Sequence, residues 1–547
     1  MDASTVQILR NGTENEIIKV LEKWTQKNAQ TFAFSDISDD IKERVTESLF
    51  TLLSKKASST CHCLCLQTLR LFSREKTRLG SMITDNGLVH FMRLAGLEHY
   101  ARQGDSENGV TIQLGDSDVT IEAQKCLCNL IFNSVQAQAA CSKNGCVEGI
   151  VQRLKTYKDP ELKFDIKFFD MRLLFLLTAL CADTRPKIRF ELHGFTYLIE
   201  VIDLILRDAE TREEGLTDQE VDLCSEILKI LFNLTVTVDR NNLDEEEEAH
   251  MMRLVCVLRD LLLCTTATKD KREEILSHTV NLLINMPRDC YEELLAPMSE
   301  GDLGIENKEV EYDGKNMEAV IVLLNFLYER LDRPTKSLKE SLTPILHCLC
   351  ETCRANRSIR KFCRAKVLPP LKDEVKQLPE EGSTLRNRLC KLLTSPILEV
   401  KELAADFLFV LCKESVNRMV KYTGYGNSAG LLANRGLMLG GQSQGQGDYS
   451  SDSEDSDTEE YTNLAEQVNP VTGRYEQEKT KPWECMSDEQ KEYEAMKLVQ
   501  AMDKLSREGI IQPSTLGEDG KPKPVSHILE LVENQPNLPP STDNTDD

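Results

Sequence analysis

The chain has 547 residues, 40% of them hydrophobic and 29% charged, a balance that suits a soluble helical protein. Its formal charge of −24 argues against nucleic acid as the main partner and against general adsorption to anionic membranes, because both need clustered Lys and Arg. Much of the acidic excess is local, at residues 244–248 and 448–460, so a groove elsewhere can still be basic.

From the N-terminus to about residue 425 the chain reads as helix after helix. Apolar residues fall at i, i+3, i+4 spacing, and prolines such as Pro160, Pro287 and Pro396 lie between the apolar stretches. No sustained two-residue alternation predicts a sheet. One phrase returns about every fifty residues: an apolar helix, a polar break, a turn and a new apolar helix. Its clearest copies are 69–94 (LRLFSREKTRLGSMITDNGLVHFMRL), 126–154 (CLCNLIFNSVQAQAACSKNGCVEGIVQRL) and 173–199, with turn glycines Gly87, Gly145 and Gly194. Further copies begin at Cys224, His278, Leu342 and Val400. The period predicts an all-α stack of the armadillo or HEAT type over residues 1–425, a body built for gripping a partner. The polar or acidic insertions at 207–218, 241–248 and 297–315 read as loops on its rim.

Beyond residue 425 the composition changes. Residues 426–486 read as a Gly-rich and acidic linker, whose stretch YSSDSEDSDTEEY at 449–461 cannot fold alone. Residues 487–508 predict a helix, with Ser487 and Gln490 as a capping box and Ala495, Leu498, Met502 and Leu505 as an apolar stripe for a partner. Residues 509–547 read as a disordered tail. Ser451 and Ser456 each have Glu three residues on, the pattern of an acidophilic kinase of the casein kinase 2 type. Phosphates there would dock the segment on a basic surface; the alternative is a solubilising tail.

The nineteen cysteines lie mostly inside apolar helical phrases, and the N-terminus MDASTVQILRNGTENE has no signal-like segment. Both point to reduced thiols in the cytosol. Cys61-His62-Cys63-Leu64-Cys65 and the cluster at 347–353 cannot turn all their side chains to one ion on a helix, so no metal is expected. The longest apolar run, 173–182, is too short to cross a membrane. With no phosphate loop, GxGxxG, HExxH or triad, we expect neither an enzyme nor a cofactor.

The candidates for binding are polar residues inside apolar phrases. Asn129, Asn233 and Asn285 each bury a costly amide. Either they hold the backbone of a peptide on the concave face, or they bond neighbouring turns and staple repeat to repeat; their recurrence in corresponding phrases favours the groove. Arg70 and Arg74, four apart on one face, and Arg172 offer guanidinium forks for a carboxylate, against the blander fate of a solvated face or ion pair. Arg360 and Lys361, with Arg357 and Arg364, form a second basic cluster. Phe168 and Phe169 read more as core than as groove.

Several phrases are more particular than a generic repeat: CLCNLIFNS at Cys126, FFDMRLLFLLTAL at Phe168, ILKILFNLTV at Ile227, VNLLINMP at Val280, RKFCRAKVLPPLKDEV at Arg360, DFLFVLCKESV at Asp406, KYTGYGNSAGLLANRGL at Lys421, NPVTGRYE at Asn469 and EQKEYEAMKLVQAMDKLSR at Glu489. In this order, from about residue 8 to 515, they resemble the synembryn family (resistance to inhibitors of cholinesterase 8). Ser428 and Asn434 depart from that family's Ala, and the acidic segment carries extra serines. The resemblance implies a cytosolic chaperone and receptor-independent guanine nucleotide exchange factor for heterotrimeric G protein alpha subunits, recruited to the cell cortex or plasma membrane through its partner and monomeric. It implies that the concave face grips the C-terminal helix of the alpha subunit. Residue by residue, that face would comprise Arg70, Arg74, Asn129, Phe169, Arg172, Phe232, Arg360 and Lys361. It also implies that the 487–507 helix makes a second contact and that Ser451 and Ser456 are phosphorylated. The rival reading is a scaffold or transport adaptor of the importin or catenin kind.

Overall fold

The computed structural model describes residues 1–76, 79–98, 115–240, 242–297, 309–332, 337–439, 458–476, 486–517 and 519–525. The chain divides into two compact units, Met1–Leu294 and Leu295–Asp547.

The first unit is built from α1 (Ala3–Asn11), α2 (Glu14–Lys27), α3 (Asp39–Leu53), α4 (Ser59–Phe72), α5 (Asp85–Leu94), α6 (Ser117–Asn133), α7 (Val135–Cys141), α8 (Cys146–Leu154), α9 (Phe164–Leu180), α10 (Gly194–Glu210), α11 (Asp218–Thr235), α12 (Glu245–Leu263) and α13 (Lys269–Leu283). One layer is a row in which α2, α4, α6, α9, α11 and α13 pack in succession. Helices α1, α3, α5, α7, α8, α10 and α12 form the second layer. This is the helical-repeat stack that the fifty-residue period predicts. Each row helix buries a broad apolar face; α11, for example, buries Val221, Cys224, Ile227, Leu228, Leu231 and Leu234. Between α9 and α10 a turn at Thr184–Pro186 runs into a π-helical turn at Lys187–Glu191.

The acidic run at 244–248 is not the rim loop its charge suggests. Asp244 caps α12 in a capping box with Glu247, and Glu245–Glu248 fill the first turn. Carboxylates there face the positive end of the helix dipole and the orphan N–H groups.

A buried ion pair ties both layers together. Arg153 Nε donates to Asp170 Oδ2 at 2.7 Å and Arg153 Nη2 to Asp170 Oδ1, with both side chains fully buried. Arg153 Nη1 also donates to the Ala95 carbonyl at 2.7 Å, and Gln124 Nε2 to Asp170 Oδ1 at 2.7 Å. One guanidinium and one carboxylate thereby join α6, α8, α9 and the end of α5.

In the second unit α14 (Glu318–Asp332), α15 (Leu338–Ala355), α16 (Arg357–Val367), α17 (Leu385–Leu392), α18 (Leu398–Leu411), α19 (Val416–Thr423) and α20 (Tyr425–Arg435) precede α21 (Asp488–Arg507). Helices α15 and α18 pack on one another, with α16, α17 and α20 against α18. Two-residue strands at Ala296–Pro297, Lys315–Asn316 and Glu311–Tyr312 form a small antiparallel patch.

Part of the segment expected as linker is ordered: residues 458–476 lie across the start of α20. Tyr425 N and Gly426 N donate to the Pro470 and Val471 carbonyls, each at 2.8 Å. Gly424 and Gly473 have φ of +76° and +69° and approach so closely that a Cβ on either would lie 2.9 Å from a neighbouring atom. Further on, Ser514–Leu516 pairs with Pro522–Pro524 as a short hairpin, where the sequence suggests only a disordered tail.

Among the described residues no helix is long and apolar enough to cross a membrane, no His/Cys/Asp/Glu group could hold a metal ion, and the cysteines are free thiols. Burial pushes the Cys126 and Cys224 thiols of the row upward in pKa.

Candidate partner-binding site

The row helices carry a repeated polar seam. Asn129 Nδ2 on α6 donates to Ser73 Oγ (3.0 Å) and the Arg70 carbonyl (3.3 Å) at the end of α4. Asn233 Nδ2 on α11 donates to Thr178 Oγ1 on α9 (3.1 Å). Asn285 Nδ2, just past α13, donates to Thr235 Oγ1 (3.2 Å) and the Phe232 carbonyl (3.4 Å) of α11. All three amides therefore reach back one repeat and satisfy a hydroxyl near the end of the preceding row helix. The stapling reading holds for their donor side, with Asn285 buried and Asn129 and Asn233 half-buried.

A second layer of the seam carries charge. Glu122, seven residues before Asn129, accepts from Arg70 Nε (2.7 Å) and Lys125 Nζ (2.9 Å). Glu226, seven before Asn233, accepts from Arg172 Nη1 (2.9 Å) and Lys229 Nζ (2.6 Å), both on Oε1. The two glutamates are 7% and 4% exposed, while their cationic partners stay partly open to solvent. In the third copy His278 occupies the glutamate position. Burial and then the nearby Lys229 pull its pKa down, against Glu274 and Glu226.

Aromatic rings alternate with these cations. The Arg74 guanidinium lies 5.2 Å from the Phe32 ring centre, Lys76 5.7 Å from Phe132, and Lys125 5.3 Å from Phe169. Arg172 and Lys229 lie 5.7 and 4.8 Å from Phe175. These are cation–π distances. Phe32 and Phe132 are 68% and 61% exposed, unusual for rings that size. Phe168 and Phe169, edge-to-face at 5.3 Å, are half-buried rather than core, and so is Phe232. Arg74 Nη1 also donates to the Ala29 and Thr31 carbonyls. Burial and the neighbouring Arg70 lower its pKa.

Six cations, Arg70, Arg74, Lys76, Lys125, Arg172 and Lys229, thus share a strip with two carboxylates. On a chain of −24 this strip is locally positive. At the N-terminal ends of the row helices a recess of about 310 Å³ is lined by Glu22, Asp116 and Asp118. At the C-terminal ends one of about 370 Å³ is lined by Arg185, Arg189 and Phe190 together with Asp239 and Glu247, the last paired with Arg189.

The second unit holds the other candidates. Arg360 is 5% exposed and donates Nη1 to the Cys353 carbonyl at 2.9 Å, at the end of α15. Its guanidinium works as a buried C-cap, a role its place in the RKFCR cluster does not reveal; Lys361 beside it is half-buried. Helix α21 starts at the expected capping box of Ser487 and Gln490 and buries no side chain. Leu498 is 59% exposed, Ala495 and Leu505 are exposed, and Met502 is half-exposed. Ser451 and Ser456 lie outside the described residues.

Sequence reasoning located Arg70, Arg172 and the asparagines but missed Glu122, Lys125, Glu226, Lys229 and the rings Phe32, Phe132 and Phe175. The signal was present: Glu-x₂-Lys-x₃-Asn occurs at 122–129 and again at 226–233.

The chain matches the family described as "Guanine nucleotide exchange factor synembryn" over residues 65–521. It is 44% identical over 530 residues to "Chaperone Ric-8A" of Danio rerio, covering 94% of this chain and 93% of that protein. It is 43% identical over 537 residues to "Chaperone Ric-8A" of Gallus gallus, covering 96% of each. It is 44% identical over 533 residues to "Chaperone Ric-8A" of Xenopus laevis, again covering 96% of each.

Proposed function

The chain belongs to the synembryn family of guanine nucleotide exchange factors, and from that premise we propose that it grips the C-terminal helix of a heterotrimeric G protein alpha subunit on the basic–aromatic strip. The protein acts on alpha subunits as a chaperone and exchange factor. The observation that carries the finer reading is the strip itself. Cations and rings at helical spacing, held by buried glutamates, suit a helix that offers a carboxylate and apolar side chains together. Arg70, Arg74 and Arg172 take the carboxylate, Phe169 and Phe232 the apolar face, and the seam of Asn129, Asn233 and Asn285 fixes their spacing. Buried Arg360 supports the second unit from within, while Lys361 offers its charge.

Exchange then follows from linkage. If the strip binds the nucleotide-free alpha subunit more tightly than the GDP-bound one, it weakens GDP binding by the same factor. GTP restores the pocket and expels the protein. Stabilising an open, marginally stable alpha subunit is also what a chaperone does. No covalent bond changes, so the protein is not an enzyme in this reading. Helix α21, with its apolar stripe unburied, supplies a second contact on the alpha subunit. Phosphorylation at Ser451 and Ser456 by an acidophilic kinase adds charge that tunes the complex. The protein works as a monomer in the cytoplasm and reaches the membrane only through its partner.

The test is release of labelled GDP from purified alpha subunits of the inhibitory, q and stimulatory classes, with and without the protein. Acceleration in at least one class supports exchange. A stable complex with nucleotide-free alpha subunit, without acceleration, leaves the chaperone alone. No complex in any class removes the reading.

A further inference from the structure

The two buried glutamates of the strip do more than hold cations still. Each copy places one carboxylate between an arginine from the preceding row helix and a lysine three residues on, and the arrangement occurs twice about a hundred residues apart. Two cations without a carboxylate between them would be a polyanion site, attractive to any acidic run or phosphate polymer. This chain itself carries such a run at 448–460. With the glutamate in place, each cluster keeps one net positive charge, spread over two donors, of which Lys125, Arg172 and Lys229 lie beside a ring.

We propose that Glu122 and Glu226 are specificity-determining residues of the strip, holding an arginine and a lysine in register while cancelling half their charge, so that the strip accepts a single carboxylate on an apolar helix and discriminates against polyanions. This rests on the reading that the strip binds the alpha-subunit helix, and it names what that site rejects. The rings do the sorting on the other side. Phe169 lies under Lys125, and Phe175 under Lys229 and Arg172. A ligand must therefore bring apolar surface to exploit them, which a chain of carboxylates lacks. Rejection by electrostatics and selection by apolar contact are separable, as specificity built from both attraction and repulsion requires.

Glu226→Gln is the clean test. Arg172 and Lys229 both donate to Oε1, so a glutamine can keep the acceptor while losing the charge. The full chain is titrated with a poly-glutamate peptide and with a synthetic helix peptide that copies the C-terminus of the alpha subunit, at low and high salt. The expected result is about fivefold tighter poly-glutamate binding at low salt, lost at high salt, with a smaller gain for the helix peptide, so that the ratio of the two affinities shifts toward poly-glutamate. Lys229→Met should weaken poly-glutamate binding by a similar factor, and it carries the test if the glutamine variant does not fold. Glu226→Asp should behave as wild type. Equal poly-glutamate affinity of the folded wild type and variant overturns the proposal while the strip reading stands. Failure of the wild type to bind the helix peptide overturns the strip reading instead.

Discussion

Asn129 sits where fold and function overlap, and its neighbour Asn133 provides the control. Asn129 Nδ2 donates to Ser73 Oγ and the Arg70 carbonyl, while Asn133 Nδ2 donates to the Ser73 carbonyl at 2.9 Å, from the same helix to the same turn. Replacing either by Ala removes a half-exposed staple between neutral groups, which costs about 1 kcal/mol of stability. Asn129 lies between Lys125 and Phe132 of the strip, while Asn133 is the last residue of the helix, beyond Phe132. Loss of Asn129 should remove a hydrogen bond from the bound helix as well, in a site that excludes water. That costs about 1–3 kcal/mol, or roughly five- to 150-fold in affinity. The assay pairs chemical denaturation of the first unit's fluorescence with titration against nucleotide-free alpha subunit. Asn129→Ala and Asn133→Ala should lose similar stability, but only Asn129→Ala should lose affinity. If both variants lose affinity equally, or Asn129→Ala loses none, the amide is a staple and nothing more.

Arg153→Met should cost about 3–5 kcal/mol of stability, because it strands the fully buried Asp170 with only neutral partners; a loss under 1 kcal/mol in denaturation would mean water reaches that site. Leu498→Glu with Met502→Glu should leave melting unchanged, since α21 buries no side chain, yet lower GDP release several-fold; unchanged release would take α21 out of the interface. Ser451→Ala with Ser456→Ala should abolish the gain in exchange produced by acidophilic kinase treatment, and equal activity of treated wild type and variant would reduce the acidic run to a solubility device.

The helices were legible because their signals are local. The 3.6-residue period and capping pairs such as Thr217–Glu220 and Ser487–Gln490 lie within a few positions of one another. What failed were inferences from charge alone. The run at 244–248 resembles a solvated loop until it is seen to sit on a helix dipole. Arg360 resembles a surface cation until its guanidinium is found on the Cys353 carbonyl. The seam was half legible. The asparagines announced themselves as amides in apolar phrases, but Glu122 and Glu226 look like ordinary surface glutamates. Their partners Arg70 and Arg172 lie more than fifty residues upstream, and no local pattern specifies which helix will become the neighbour.

The same seam explains why such a stack can serve as a grip at all. A partner helix bound along the row must match several repeats at once, so errors in repeat spacing accumulate along its length. Apolar packing alone tolerates small slides between helices. Directional bonds do not: the Asn129, Asn233 and Asn285 amides fix α6, α11 and the end of α13 each against the row helix before it, and the Arg–Glu pairs fix the cations against the same frame. The strip is thereby pre-organised, and binding need not order the side chains that make it. What the glutamates cost in raw attraction they return in register, the property that the proposed helix-gripping surface needs.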